Sequence, residues 1–179
     1  MTTIALISGS PSKQSKTAEI ANRLQTELLN RGHHVHLIHV CDLPAEDLLH
    51  AKYDSKAIAQ THEWIREADA VMVLSPVYKG SYTGILKAFL DLLPEKAFLG
   101  KIIAPIVTGG TIAHLLSIEY ALKPIFSIMG AKEILHGVFI LDNTIQRDEA
   151  GNLFFQSDIE GRIKEVMQFI SNIPAASPH

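Results

Sequence analysis

Five short apolar runs, each followed by an amphipathic stretch, constrain this chain more than any other feature. The runs cover residues 4–8, 34–40, 70–75, 102–108 and 134–140. They are rich in Val, Ile and Leu, as parallel strands buried on both faces are. Between them, residues 17–31, 55–67, 83–93 and 113–129 carry helical periodicity, and a last helix is expected over 157–173. Gly32 stands where the first helix should stop, and Pro94 closes the third. Strand followed by helix, five times over, calls for a parallel sheet with helices on both faces, joined by right-handed crossovers. Such an α/β chain, with a ligand loop after its first strand, fits a flavodoxin-like three-layer sandwich with a five-stranded parallel sheet of order 2-1-3-4-5. Residues 142–156 break the rhythm; Asp148-Glu149-Ala150-Gly151-Asn152 reads as a turn, in either a surface excursion or a hairpin. The whole, residues 1–179, suits one domain, with a frayed tail over 174–179.

Composition narrows the function. A net charge of −3 gives no electrostatic case for nucleic acid. No apolar run reaches transmembrane length, and no charged region precedes an N-terminal hydrophobic stretch, so a cytoplasmic protein without a membrane partner is expected. Cys41 is the single cysteine, which excludes an intrachain disulfide and argues against a cysteine-based metal site.

The loop after the first strand is Gly9-Ser10-Pro11-Ser12-Lys13-Gln14-Ser15-Lys16-Thr17. At a helix N-terminus, backbone N–H groups and the positive end of the helix dipole attract a phosphate, and short hydroxyl side chains add donors without bulk. A dinucleotide fingerprint needs three glycines, and only Gly9 is present. A nucleotide-triphosphate loop needs glycines where Ser10 and Ser15 stand, and residues 70–75 supply no acidic partner for magnesium. One terminal monophosphate fits best, as in FMN. The plainer account is that Ser and Thr only cap the helix; four hydroxyls, two lysines and a glycine at the usual ligand position of such a fold favour phosphate.

Two further strand ends should flank that loop. The third strand runs into Ser75-Pro76-Val77-Tyr78-Lys79-Gly80, the fourth into Thr108-Gly109-Gly110-Thr111. Pro76 supplies a stiff apolar edge, its neighbours offer backbone N–H groups to the pyrimidine side of a flavin, and the glycines let backbone approach a flat ring. A turn for the glycines and a half-buried surface aromatic for Tyr78 are the plainer alternatives.

Residues 75–79, Gly84-Ile85-Leu86-Lys87, residues 89–95, 108–116, 119–124 and 133–139 together resemble the NADPH-dependent FMN reductases, and in the later blocks the reductase components of two-component alkanesulfonate monooxygenases. The resemblance covers about residues 4–139. It implies that NADPH, with NADH as an alternative, reduces FMN, and that reduced FMN passes to a partner monooxygenase in sulfur assimilation. It also implies a homotetramer or homodimer. By position, Ser10, Ser12, Ser15, Lys16 and Thr17 would hold the phosphate. Pro76, Val77, Tyr78 and Lys79 would line one side of the isoalloxazine, and Thr108, Gly109, Gly110 and Thr111 the other. Many relatives carry Arg where this chain has Ser12, leaving the phosphate charge to Lys13 or Lys16. Two alternatives to the reductase are a flavin-retaining quinone or azo-dye reductase and a flavodoxin-type electron carrier.

No acid–base triad is present or needed, because the cofactor carries hydride chemistry. Pro124, inside a helical pattern, frees the carbonyl of Tyr120 and predicts a kink or a π-type bulge. Tyr120 is then either an interface aromatic or, as the resemblance implies, a residue tied to flavin transfer. His34 and His36 share one strand face and His39 the other, with no carboxylate pattern to complete a metal site. His114, after the Gly109-Gly110 loop, is either near the ring or part of helix packing. Lys87 and Asp91, four apart, form either a surface ion pair or a subunit contact.

Overall fold

The computed structural model describes residues 1–173. Strands β1 (Thr3–Ser8), β2 (His34–His39), β3 (Ala70–Pro76) and β4 (Ile102–Gly109) are parallel, with β5 (Glu133–Ile134) and β6 (Val138–Leu141) both pairing with β4. The order is β2-β1-β3-β4-β5, as the alternation of runs requires. All eight residues of β4 and the first six of β3 are buried, which explains why these runs do not alternate in polarity.

The two faces of the sheet build two cores. Ile4, Leu6, Met72, Leu74, Ala104 and Ile106 face α1 (Lys16–Asn30) and the final helix; Ala5, Ile7, Val71, Val73, Ile103 and Val107 face the helices of the other layer. That second layer comprises α2 (Ala45–Leu49), α3 (Lys56–Glu67), α4 (Gly84–Leu92) and α5 (Lys123–Ile128). The final helix, α6 (Ser157–Ser171), packs beside α1. Arg23 joins them, bonded to Glu27 and Glu160 at 2.7 Å each, with its guanidinium 4.8 Å from the Phe155 ring centroid.

Three departures from the sequence reading have local causes. The fifth run is not one strand. β4 advances three residues from Ile103 to Ile106 while its partner advances four, from Ile134 to Val138. Pro105 lies in that interval and cannot donate to the ladder. The extra residue is absorbed at Gly137, whose φ is +83° and where a Cβ would lie 2.9 Å from Pro105. Secondly, residues 113–129 are not one helix: a 3₁₀ turn (Ile112–His114) and a π-turn (Ile118–Leu122) precede α5. Thirdly, α2 was not foreseen, because five residues hold too little periodicity to register.

The expected hairpin is present as β7 (Ile145–Arg147) and β8 (Leu153–Phe155), antiparallel and turned at Gly151. Arg147 pairs with Glu19 and ties the hairpin to α1. The tail expected over 174–179 lies outside the described residues. Among the described residues no helix is long and apolar enough to cross a membrane.

Candidate functional site

The carboxyl ends of β1, β3 and β4 bring the three predicted loops to one end of the sheet. Their geometry begins with the first loop. Ser15 is the N-cap of α1: its Oγ accepts from Ala18 N at 3.1 Å and donates to Ser10 Oγ at 2.7 Å. Ser10 Oγ in turn donates to the Ser12 carbonyl and accepts from Ser12 N. Ser15 therefore caps α1, and Ser10 and Ser15 together form the scaffold of the loop, while Ser12 remains exposed. The first-turn amides of Lys16 and Thr17 have no intrahelical acceptor, being the orphan donors every helix start leaves. Hydroxyls, free amides and the positive end of a 15-residue helix form a donor set that suits one phosphate.

The other members of the loop are held from outside it. Thr17 is buried, and its hydroxyl is bonded to that of Thr108 at 2.7 Å, joining α1 to the end of β4. Lys13 donates to Asp42 at 2.9 Å, which raises its pKa above the ordinary 10.5. Lys16 donates to the main-chain carbonyl of Asp142, just past β6, at 2.7 Å. Neither lysine thus lies folded into the loop. Gly9 is required for packing: a Cβ there would meet Leu86 Cβ at 2.7 Å. Thr83, the N-cap of α4, donates to the Gly9 carbonyl, so the start of α4 fixes the loop's first residue.

The β3 loop is a tight reversal. Tyr78 and Ser81 exchange backbone hydrogen bonds around Lys79 (φ +51°) and Gly80 (φ +79°), the twin left-handed positions of a two-residue hairpin turn. The Val77 amide is spent on the Thr108 carbonyl and the Tyr78 amide on Ser81. Among the described residues, the Lys79 and Gly80 amides make no hydrogen bond, so these are the donors the loop has left for a ligand. Ser75 Oγ braces the base by accepting from Thr83 N at 3.1 Å. Tyr78 itself is 54% exposed.

In the β4 loop the two glycines differ. A Cβ at Gly109 would meet the Phe139 ring at 2.9 Å, so this glycine makes room for the core. Gly110 is exposed, and the nearest atom to a Cβ there is Asp142 Oδ2 at 3.9 Å. Of these two, Gly110 leaves open backbone at the β4 loop. Thr111 caps the following 3₁₀ turn through its side chain, which accepts from Ala113 N.

Beyond the loops, Ile112, Leu115, Leu116 and Tyr120 stand 60%, 43%, 57% and 79% exposed on the segment that leaves β4. The π-turn is where Pro124 predicts it: Lys123 N bonds the Ile118 carbonyl, five residues back, and Tyr120 projects from the widened turn. Lys87 and Asp91 form the expected ion pair at 2.6 Å. His34 and His36 do share a face, with ring centroids 4.6 Å apart, and His36 stacks on Trp64. His39 turns the other way, to Asn22. Burial pushes the Cys41 thiol above its ordinary 9.0, away from nucleophilic thiolate. A cavity of about 770 Å³, bounded by Arg66, Lys101, Lys132 and Phe169, lies at the opposite end of the sheet, away from the three loops.

Residues 2–146 match the family model described as NADPH-dependent FMN reductase. An FMN reductase (NADPH) of Pseudomonas putida is 45% identical over 142 residues, 79% of this chain and 72% of that one. One of Escherichia coli is 42% identical over 142 residues, 79% and 74% of the two chains. The crystal structure of an NADH:FMN oxidoreductase in its apo form superposes with a TM-score of 0.87 at 31% identity, covering 99% of this chain and 92% of that one.

Proposed function

The chain belongs to the NADPH-dependent FMN reductase family, an oxidoreductase family, and on that premise we propose that it delivers reduced FMN to a partner monooxygenase, taking FMN as a substrate that must leave. The observation that carries this reading is the loop at the start of α1, where Ser10 and Ser15 brace one another and leave Ser12 and the Lys16 and Thr17 amides as donors for a single phosphate.

In this reading Ser12, with the amides of Lys16 and Thr17, holds the FMN phosphate, and Ser10 and Ser15 keep the loop in shape. The reversal at Pro76, Val77, Tyr78 and Lys79 borders one side of the isoalloxazine, with the Lys79 and Gly80 amides as donors. Thr108, Gly109, Gly110 and Thr111 border the other, Gly110 giving open backbone and Thr108 and Gly109 acting from beneath. When bound there, FMN would supply the hydride chemistry between the nicotinamide C4 and its own N5. What the protein contributes is stacking geometry for the two rings and N–H donors near the edge that gains negative charge.

The exposed apolar segment from Ile112 to Tyr120 supports assembly into a homodimer or homotetramer, with Tyr120 at the contact and tied to flavin transfer. The alkanesulfonate system is the partner class the sequence blocks resemble, and NADH is a second hydride source to test.

The test follows NADPH oxidation by purified protein with and without added FMN. A colourless protein whose rate depends on added FMN supports the reading. A yellow protein that reduces quinones without added FMN would replace it with a flavin-retaining quinone reductase. Failure to oxidise NADPH at all would leave an electron carrier.

A further inference from the structure

Asp142 stands where three features of the site meet. It begins the turn that follows β6, and its carbonyl accepts the 2.7 Å hydrogen bond from Lys16, the first residue of α1. Its Oδ2 lies 3.9 Å from where a Gly110 Cβ would be, at the one glycine that leaves backbone open at the β4 loop. Among the described residues its carboxylate has neither an ion pair nor a hydrogen bond. Lys13 is paired with Asp42, and Lys16 bonds the Asp142 carbonyl, so its ammonium lies near the carboxylate without pairing with it.

Positive side chains strengthen the hold on an anion, and a nearby carboxylate weakens it. Here a site suited to a phosphate has beside Gly110 a carboxylate with neither an ion pair nor a hydrogen bond, and the lysine that reaches the same residue bonds its neutral carbonyl. We propose that Asp142 is a release residue, whose negative charge lowers the affinity of the site for the FMN phosphate and so keeps the flavin exchangeable. The inference rests on the reading of the three loops as an FMN site. The Lys16 bond serves it by holding the start of α1 and the turn at Asp142 at a fixed spacing. Asp142 takes no part in hydride transfer. Its role is to set how long the flavin stays.

Removing one charge within about a Debye length of a phosphate dianion, at a solvent boundary, alters affinity roughly three- to tenfold. The experiment titrates FMN and riboflavin, by quenching of flavin fluorescence, into wild-type protein, Asp142→Asn and Asp142→Glu. With Asp142→Asn, FMN should bind about three- to tenfold more tightly at low ionic strength, the gain shrinking in 0.5 M salt, as screening requires. Riboflavin, which lacks the phosphate, should change less than about twofold, and Asp142→Glu, which keeps the charge, should track wild type for both ligands. Unchanged FMN affinity in Asp142→Asn, an equal gain for riboflavin, or the same gain in Asp142→Glu would each overturn the proposal. Wild-type protein that binds no FMN at all would instead defeat the functional reading beneath it. Circular dichroism of both variants separates these outcomes from misfolding.

Discussion

Thr17 and Thr108 share a buried hydroxyl–hydroxyl hydrogen bond of 2.7 Å that fastens the first turn of α1 to the carboxyl end of β4. The loop at the start of α1 and the β4 loop are thereby tied together, although 91 residues separate these two threonines. Replacing one partner leaves the other hydroxyl buried and unpaired, at a cost of about 1–3 kcal/mol. Removing both leaves nothing unsatisfied. Thr108→Val should therefore lower the urea midpoint clearly, and the Thr17→Val/Thr108→Val pair should recover most of the loss. A double variant less stable than either single one would contradict this account.

Gly9 is held between Leu86 and Thr83. A Cβ at Gly9 would meet Leu86 Cβ at 2.7 Å, so Gly9→Ala overpacks the junction of β1 and α4, at roughly 1–3 kcal/mol. Leu86→Ala removes the contacts with Cγ and with Cδ2 at 3.0 Å but keeps the one with Cβ, so it relieves only part of the overlap. In a Leu86→Ala background, Gly9→Ala should cost less but retain part of its penalty. Equal costs in the two backgrounds, measured as a double-mutant cycle, would show that Leu86 beyond Cβ carries none of the strain.

Lys101 is a buried cation with two acceptors. Its Nζ donates to the Arg66 carbonyl at 2.9 Å and to that of Ala68 at 2.6 Å, pinning the turn between α3 and β3. Burial lowers its pKa from 10.5. Lys101→Met keeps the stem but strips both carbonyls of their donor, so a loss of about 1–3 kcal/mol in urea unfolding is expected. FMN binding should be untouched, since this turn lies at the far end of the sheet from the loops. A fall in FMN affinity at unchanged stability would count against that separation.

Stability should also depend on pH through the histidines at the β2 edge. Burial lowers the pKa of His33, His36 and His39 from the ordinary 6.5, with neighbouring positive charge adding to the effect. Below 6.5 the unfolded chain takes up protons that the folded chain resists, so stability rises with pH through this window and falls away as the medium is acidified. Unfolding midpoints at pH 7.5 and 5.5 should differ in that sense, and His36→Gln should reduce the difference. His36 is the most informative of the three, because it is stacked on Trp64 with Glu67 3.7 Å away, the one acidic group opposing its shift. A midpoint that rises on acidification would contradict the sign.

The sheet and its order were legible because parallel strands buried on both faces leave unbroken runs of Val, Ile and Leu, as in β1 and β3. The break between β5 and β6 carried its own signals, Pro105 in one strand and Gly137 opposite, but a proline matters to a ladder only once the pairing is known. The π-turn at Tyr120 was readable from Pro124 alone, since the cause is local. The 3₁₀ turn at Ile112–His114 was not, because the apolar spacing continues through it. At the site, the hydroxyl loop could be read as a type of donor set. Which atoms remain free could not: the bonds of Thr17 to Thr108 and Lys16 to Asp142 join residues far apart in the chain. Gly109, expected to let backbone approach a flat ring, instead makes room for Phe139, a contact set by the packing of two strands.

The central claim is that the loop at the start of α1 holds the FMN phosphate. Ser12 tests it most directly, because its side chain is exposed and its loop is shaped by Ser10 and Ser15. Ser12→Glu places a carboxylate among the phosphate donors without entering the core. The measurement is the FMN dissociation constant of Ser12→Glu against wild type at low salt. The account predicts at least about a tenfold weakening for FMN, with riboflavin much less affected and the unfolding midpoint unchanged. FMN affinity equal to that of wild type would show that the phosphate is held elsewhere.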